Sequence, residues 1–288
     1  MLLLVDYSSL LYRAFFSMSD DVPAHAVHGF LNMLARVVAD RKPQRLAIAV
    51  DEDWRPAFRV EAIPAYKAQR VAAEEEEDEV APQDMIGRHV LRSMGIAVVG
   101  AIGYEADDVI ATLAAREPAP IEVLSGDRDL FALVRDPDVR VLYPAHGVRD
   151  LEVVDEAAIT RRYGIPGRAY GDFALLRGDP SDGLPGVRGI GEKTASKLIA
   201  EHGSLDGLLA ATSLPAAVAA KLAAAADYLA AARRVVLPVA DLPLDPCDLA
   251  LPAAAADPEM LAALAEEWKL TAAVERVQRA VSVARTAR

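Results

Sequence analysis

Five short apolar runs, Leu2–Val5, Leu46–Val50, Ile96–Val99, Ile121–Leu124 and Val139–Tyr143, constrain this chain more than any other feature. Between them lie stretches with helical patterning: Ser9–Met18, His25–Val38, Asp84–Ser93, Ala106–Arg116 and Asp129–Val134. Four or five apolar residues make a buried strand, and a helix between two such strands lets them run parallel. The alternation predicts an α/β fold with a mainly parallel central sheet and helices on both faces. Ligands in such sheets gather at the carboxyl ends of the strands.

Acids fall at those ends. Asp6 follows Leu3-Leu4-Val5, and Asp51 follows Ala47-Ile48-Ala49-Val50. Asp127 and Asp129 follow Val123-Leu124-Ser125-Gly126, while Glu105, Asp107 and Asp108 open the helix after Ile96–Gly103. A single Asp after a strand is an ordinary turn residue, and acids at a helix start complement its dipole. Acids at four separate strand ends are different, because crowded carboxylates repel unless they are protonated or bind a cation. Cys247 is the single cysteine and the five histidines are scattered, so the cation expected is a hard one with oxygen ligands, Mg²⁺ or Mn²⁺.

The segment Gly178 to Ala195, GDPSDGLPGVRGIGEKTA, joins two chemistries. Asp179 and Asp182 stand three residues apart in a turn-forming stretch, and they bring the acids to nine. That number exceeds one octahedral ion and suits two or more. Two ions about 3.5–4 Å apart can activate water and stabilise the leaving oxygen of a phosphoryl displacement. Gly186 to Ala195 then places a glycine-rich hairpin before a helix, whose outward N–H groups and dipole favour a phosphate. Lys193 adds a positive charge there. The glycine pattern is not a dinucleotide fingerprint, because a loop and not a strand precedes it.

The 288 residues are 53% hydrophobic and 26% charged, which is globular composition and enough for one large domain or two modest ones. The apolar start Leu2–Val5 is too short for a signal peptide or membrane span, so a cytoplasmic location without membrane attachment is expected. A net charge of -12 argues at first sight against nucleic acid, but Arg41 to Arg70 holds a basic island. The run Glu74–Glu79 is expected to be a solvated stretch and not a metal site.

Four motifs together resemble the bacterial 5′ nucleases, or flap endonucleases, which also form the N-terminal domain of bacterial DNA polymerase I. They are LLLVDYSSLLYRAF (Leu2–Phe15), VDEDWRPAFRVEAIPAYKAQR (Val50–Arg70), GYEADDVIATLA (Gly103–Ala114) with LSGDRDL (Leu124–Leu130), and the glycine-rich segment above. The resemblance covers nearly the whole chain. It implies a PIN-like nuclease core over residues 1–165 with a helical arch at about 59–85. It also implies a helical DNA-binding subdomain over 166–288, with a helix-hairpin-helix at 186–202 and C-terminal helices.

By the same resemblance, one metal cluster maps to Asp6, Asp51, Glu105, Asp107 and Asp108, and a second to Asp127, Asp129, Asp179 and Asp182. Arg59, Lys67 and Arg70 would steer the scissile phosphate and 5′ strand, and Tyr66 would be either a stacking face for a base or a buried tyrosine of the arch. Gly186, Arg188, Gly189, Gly191, Lys193, Thr194 and Lys197 would grip the duplex backbone, with K⁺ on loop carbonyls. The implied substrate is branched or 5′-ended DNA, cut at single-strand/duplex junctions or from a 5′ end in replication and repair, by a stand-alone monomer. Three departures accompany the match: Tyr7 in place of a glycine after the first aspartate, Gly183 in place of an asparagine, and the acidic run within the arch. The competing readings are a non-catalytic DNA-junction binder, an RNA-directed nuclease, and a phosphatase with Asp6 as nucleophile. That last chemistry pairs the nucleophile with an Asp two residues on, where this chain has Ser8.

Overall fold

Every second residue of a strand faces the same side of a sheet, and in this chain both sides are apolar. The computed structural model describes residues 1–19, 21–74 and 79–287, with the side chains of 72–74 left aside. Six strands form one sheet: β1 (Leu2–Asp6), β2 (Arg45–Ala49), β3 (Ala97–Val99), β4 (Ile121–Leu124), β5 (Val139–Tyr143) and β6 (Glu152–Val154). Their order is β3-β2-β1-β4-β5-β6, and all pairs are parallel except β5 with β6. The antiparallel β6 is an addition to the five expected strands.

Register keeps like faces together. Leu3 lies opposite Leu46 and Val5 opposite Ile48. These residues meet the helices Tyr7–Ser17, His25–Arg41 and Val80–Ser93 on one side. Leu2, Leu4, Ala47, Ile121, Val123, Val139 and Val141 face the other way, onto the helix Ala106–Arg116 and the helical region from Ala169 onward. Each such fully buried Val, Leu or Ile side chain contributes about 1.5–3 kcal/mol.

The last two helices return to the α/β core. Thr271–Thr286 lies along His25–Arg41, and Pro258–Glu267 packs on Val80–Ser93, so residues 258–286 complete the α/β core. The helices Tyr170–Arg177, Glu192–His202, Leu205–Ala210 and Ala226–Val236 pack with one another on the opposite side. Among the described residues no helix is long and apolar enough to cross a membrane.

Two features position the site. From β1 the chain builds outward through β2 and β3, then returns to β1's other side with β4. The carboxyl ends of β1 and β4 therefore flank the topological switch point. The arch region begins as two short helices, Ala57–Ala62 and Ala68–Glu74. Of the acidic run that follows, Glu75, Glu76, Glu77 and Asp78 lie outside the described residues.

Candidate active site

A cleft of about 1220 Å³ opens at the switch point, lined by Asp6, Asp51, Glu105, Asp107 and Asp127. Asp6 ends β1 and caps the next helix: its Oδ1 accepts from the Ser9 N–H at 3.1 Å, and its Oδ2 from the Ser125 hydroxyl at 2.6 Å. Asp51 Oδ1 accepts from the Ala106 N–H at 2.7 Å, and its Oδ2 from the Ser8 hydroxyl. Asp127 Oδ1 accepts from the Asp129 N–H at 2.8 Å. Strand ends, helix starts and two serines thus hold the acids.

Repulsion runs through the whole row. Burial, then the charge of Asp51, pushes the Asp6 carboxyl up to about 7. Burial and the nearby Asp127 and Asp6 charges raise Asp107 well above the usual carboxylate range. Desolvation and the nearby charges of Asp127, Asp182 and Asp179 push the partly buried Asp129 up to about 8. Asp182 is raised by burial, against the pull of Lys67 and Arg70. Asp127 acts on Asp6, Asp107, Asp129 and Asp182, and so joins the cleft to the Asp179–Asp182 turn beside it.

Among the described residues no three acids, histidines or cysteines already close around a common point. The acids stand as a row and not as a cage. The donor set nonetheless fits a hard divalent ion. It is all carboxylate oxygen, burial and mutual repulsion raise Asp6, Asp107 and Asp129, and among the described residues the Asp6 and Asp51 carboxylates carry neutral hydrogen-bond donors.

Three expected site residues sit elsewhere. Asp108 is fully buried and absent from the cleft lining. Its Oδ1 accepts from Arg59 Nη2 at 2.7 Å and the Val239 N–H at 2.8 Å, and its Oδ2 from Arg59 Nη1 at 2.8 Å and the Glu105 N–H at 3.2 Å. These four donors hold Asp108 in the interior, away from the cleft. Arg59, expected to face DNA, is 2% exposed; it also pairs with Glu105 and donates to the Val235 carbonyl at 3.0 Å. Tyr66 takes the buried one of its two expected positions: it is 5% exposed, and its hydroxyl donates to Glu105 Oε2 at 2.9 Å. Burial and the Glu105 charge drive that phenol's pKa up.

Lys67 does line the cleft, with its ammonium on Glu105 and 3.3 Å from the Trp54 carbonyl. Arg70 also lines it, half-exposed and paired with Asp182. The rest of the basic island is scattered. Arg41 and Arg45 pair with Glu122 and Glu117, and Arg55 donates to the carbonyls of Tyr66 and Pro64.

The glycine-rich segment folds as a tight return between two helices. Gly178 and Gly186 approach so closely that a Cβ on Gly178 would stand 2.3 Å from the Gly186 nitrogen. Arg188, Gly189, Gly191, Lys193, Thr194 and Lys197 are exposed, while Gly186 is buried and its N–H donates to the Tyr228 hydroxyl at 3.1 Å. Gly191 caps the helix Glu192–His202 without a side-chain bond. The Gly189 carbonyl accepts from Lys221 Nζ at 2.8 Å, so a cation on the hairpin would have to compete with this ammonium for it.

The cleft also holds residues that the sequence reading passed over. Tyr12, Phe15 and Phe16 line it from the first helix, and Arg88 contributes from Val80–Ser93. Ser8, Leu11, Tyr12 and Phe15 recur at helical spacing after Asp6, which was the available signal.

Fold and site together define a PIN-like α/β protein with an acidic cleft at its strand ends and a helical hairpin subdomain. Residues 1–164 match the family described as 5′-3′ exonuclease, N-terminal resolvase-like domain, and residues 165–259 match 5′-3′ exonuclease, C-terminal SAM fold. The chain belongs to this 5′-3′ exonuclease family. It is 48% identical over 295 residues to a 5′-3′ exonuclease of Streptomyces coelicolor, covering 96% of this chain and 98% of that one. It is 45% identical over 311 residues to a 5′-3′ exonuclease of Mycobacterium tuberculosis, covering 97% of each. Among solved structures it resembles the bacteriophage T5 flap endonuclease in complex with DNA and metal ions, with a TM-score of 0.66 and 16% identity over 98% of this chain and 99% of that one. The catalytic core of Rad2 in complex with DNA substrate gives a TM-score of 0.59 at 17% identity, over 98% and 92% of the two chains. At those identities the likeness is one of fold.

Proposed function

We propose that the protein is a divalent-metal-dependent, structure-specific 5′ nuclease that hydrolyses DNA phosphodiesters at single-strand/duplex junctions and from 5′ ends. The observation that carries this reading is the convergence of Asp6, Asp51, Glu105, Asp107 and Asp127 on one cleft at the switch point of the sheet. Asp6, Asp51, Glu105 and Asp107 would hold one Mg²⁺ or Mn²⁺ ion, and Asp127, Asp129, Asp179 and Asp182 a second. Such ions, when bound, supply Lewis-acid stabilisation and a water of lowered pKa.

The chain's own residues do the rest. Ser8, Ser9, Ser125 and the Ala106 N–H orient Asp51 and Asp6, so these carboxylates need little reorganisation to act. Lys67 and Arg70 stand over the row as the charges that meet the scissile phosphate. Asp108 and Arg59 act indirectly, through the buried pairing that places Glu105. Tyr12 and Phe16 offer aromatic faces for unpaired bases, which stack without regard to sequence. Arg188, Lys193, Thr194 and Lys197, with the free N–H groups after Gly191, hold duplex phosphates.

The test is incision of an end-labelled 5′-flap duplex, and of the same strand as plain duplex, in Mg²⁺ or Mn²⁺ and in EDTA. Cutting at the flap base that needs metal, disappears in Asp127→Ala and weakens in Lys67→Ala is the expected result. Tight flap binding without incision by the wild type would make the protein a junction binder instead.

A further inference from the structure

Arg177 closes the helix Tyr170–Arg177, immediately before Gly178 and Asp179. Its side chain is 13% exposed and fixed from three directions. Cζ lies 5.3 Å from the Phe173 ring centroid, Nε donates to the Gly178 carbonyl at 3.0 Å, and Nη2 stands 3.7 Å from Asp179 Oδ2. The other Asp179 oxygen accepts from the Ser181 N–H at 2.9 Å and from the Ser181 hydroxyl. Arg70 pairs with Asp182 in the same turn.

The other end of the row is built differently. Among the described residues the carboxylates of Asp6 and Asp51 accept from neutral donors, the Ser9 and Ala106 N–H groups and the Ser125 and Ser8 hydroxyls, while the cations at that end, Arg59 and Lys67, sit on Glu105. Arg88 reaches that end only at the main-chain carbonyl of Asp51 and at the carboxylates of Glu52 and Asp84.

We propose that Arg177 is a built-in counter-ion for Asp179, which weakens the divalent-ion site at the Asp179 end of the acid row. An ion there must compete with the guanidinium for Asp179, whereas, among the described residues, the Asp6 and Asp51 carboxylates meet an ion at the other end with no side-chain cation on them. The inference rests on the metal-dependent reading above. Its physical basis is competition: a cation already placed on a carboxylate subtracts from what that carboxylate offers an incoming ion. The same guanidinium offsets, at Asp129, the repulsion from Asp127, Asp182 and Asp179.

The experiment is a Mn²⁺ titration of the full chain without DNA, with free Mn²⁺ read by electron paramagnetic resonance. Wild type, Arg177→Met, Arg177→Gln, Arg177→Lys and Asp179→Asn run in parallel. Wild type should show a tighter and a weaker class of site. Arg177→Met, which keeps a stem over Phe173, and Arg177→Gln should tighten the weaker class about threefold to tenfold and leave the tighter one alone. Arg177→Lys should stay near wild type, and Asp179→Asn should lose the weaker class. Two unchanged classes in both Arg177→Met and Arg177→Gln, or a change confined to the tighter class, would overturn the proposal. A wild type that binds no Mn²⁺ would remove the metal-dependent reading itself.

Discussion

Arg59 stands between Glu105 and Asp108 in the interior, and all three side chains are buried. Truncating one partner of such a buried set strands the charge of the others, at about 3–5 kcal/mol. Arg59→Ala should therefore lower the free energy of unfolding by about that amount, read by urea denaturation. A change below about 0.5 kcal/mol would mean that the pairing is not integral to the fold. The acid row makes a second prediction, on pH. Asp6, Asp107 and Asp129 hold their protons more tightly in the fold than in the unfolded chain. The metal-free protein then binds more protons folded than unfolded between about pH 4 and 8. Its stability is fully present near pH 4 and falls as pH rises through 7 to 8. In EDTA the melting temperature should drop from pH 6 to pH 8, and Mn²⁺ should raise it more at pH 8. A flat or rising metal-free profile would contradict this. At this scale the sequence located the acids, because each follows a strand or opens a helix. It could not separate Asp107 from Asp108, neighbours on a helix that face the cleft and the core respectively. Nor could it place Arg59 and Tyr66 inside, because their partners lie 39 to 49 residues away in the chain.

Among the elements, the turn after the helix Tyr170–Arg177 joins the arch base to the hairpin. Gly183 has φ +72° there, and a Cβ would stand 2.0 Å from the Ala65 carbonyl oxygen. The Lys67 N–H donates to the Asp182 carbonyl at 3.0 Å across the same contact. An asparagine at 183 would therefore push the Ala65–Lys67 segment away. Gly183→Asn should lower stability by about 1–3 kcal/mol and weaken flap incision along with it; a melting temperature equal to wild type would contradict the close approach. The five parallel strands were legible as apolar runs, since all but the partly buried β3 are largely covered on both faces. β6 was not, because Glu152-Val153-Val154 is three residues on an antiparallel edge with an exposed valine. Asp129–Leu133 carried a helical pattern and forms a 3-10 turn. The short arch helices, held by contacts such as Arg55 to the Tyr66 and Pro64 carbonyls, left no apolar periodicity to read.

The molecule as a whole is acidic, with a net charge of -12, yet its proposed substrate is a polyanion. Attraction must then come from local groups: the cations over the cleft and those on the hairpin. Each phosphate contact releases condensed counterions, so flap affinity should fall steeply with salt. Lys193→Ala and Lys197→Ala should each lower the slope of log affinity against log salt by about one, whatever the base sequence. Slopes equal to wild type would place the duplex elsewhere. The division of the chain was only partly legible, since nothing in the alanine-rich pattern of residues 258–286 says which core it covers. Packing on His25–Arg41 decides that, and it ties the chain's far end to the sheet that carries Asp6. The central claim is that the acid row performs the chemistry while other groups hold the DNA. The direct measurement is the single-turnover rate of 5′-flap incision by wild type and Asp107→Asn at saturating Mn²⁺, with flap affinity measured separately in Ca²⁺. The Asp107→Asn rate should be at least about a hundredfold lower, with affinity unchanged within about threefold. An Asp107→Asn protein that cuts at the wild-type rate would contradict it.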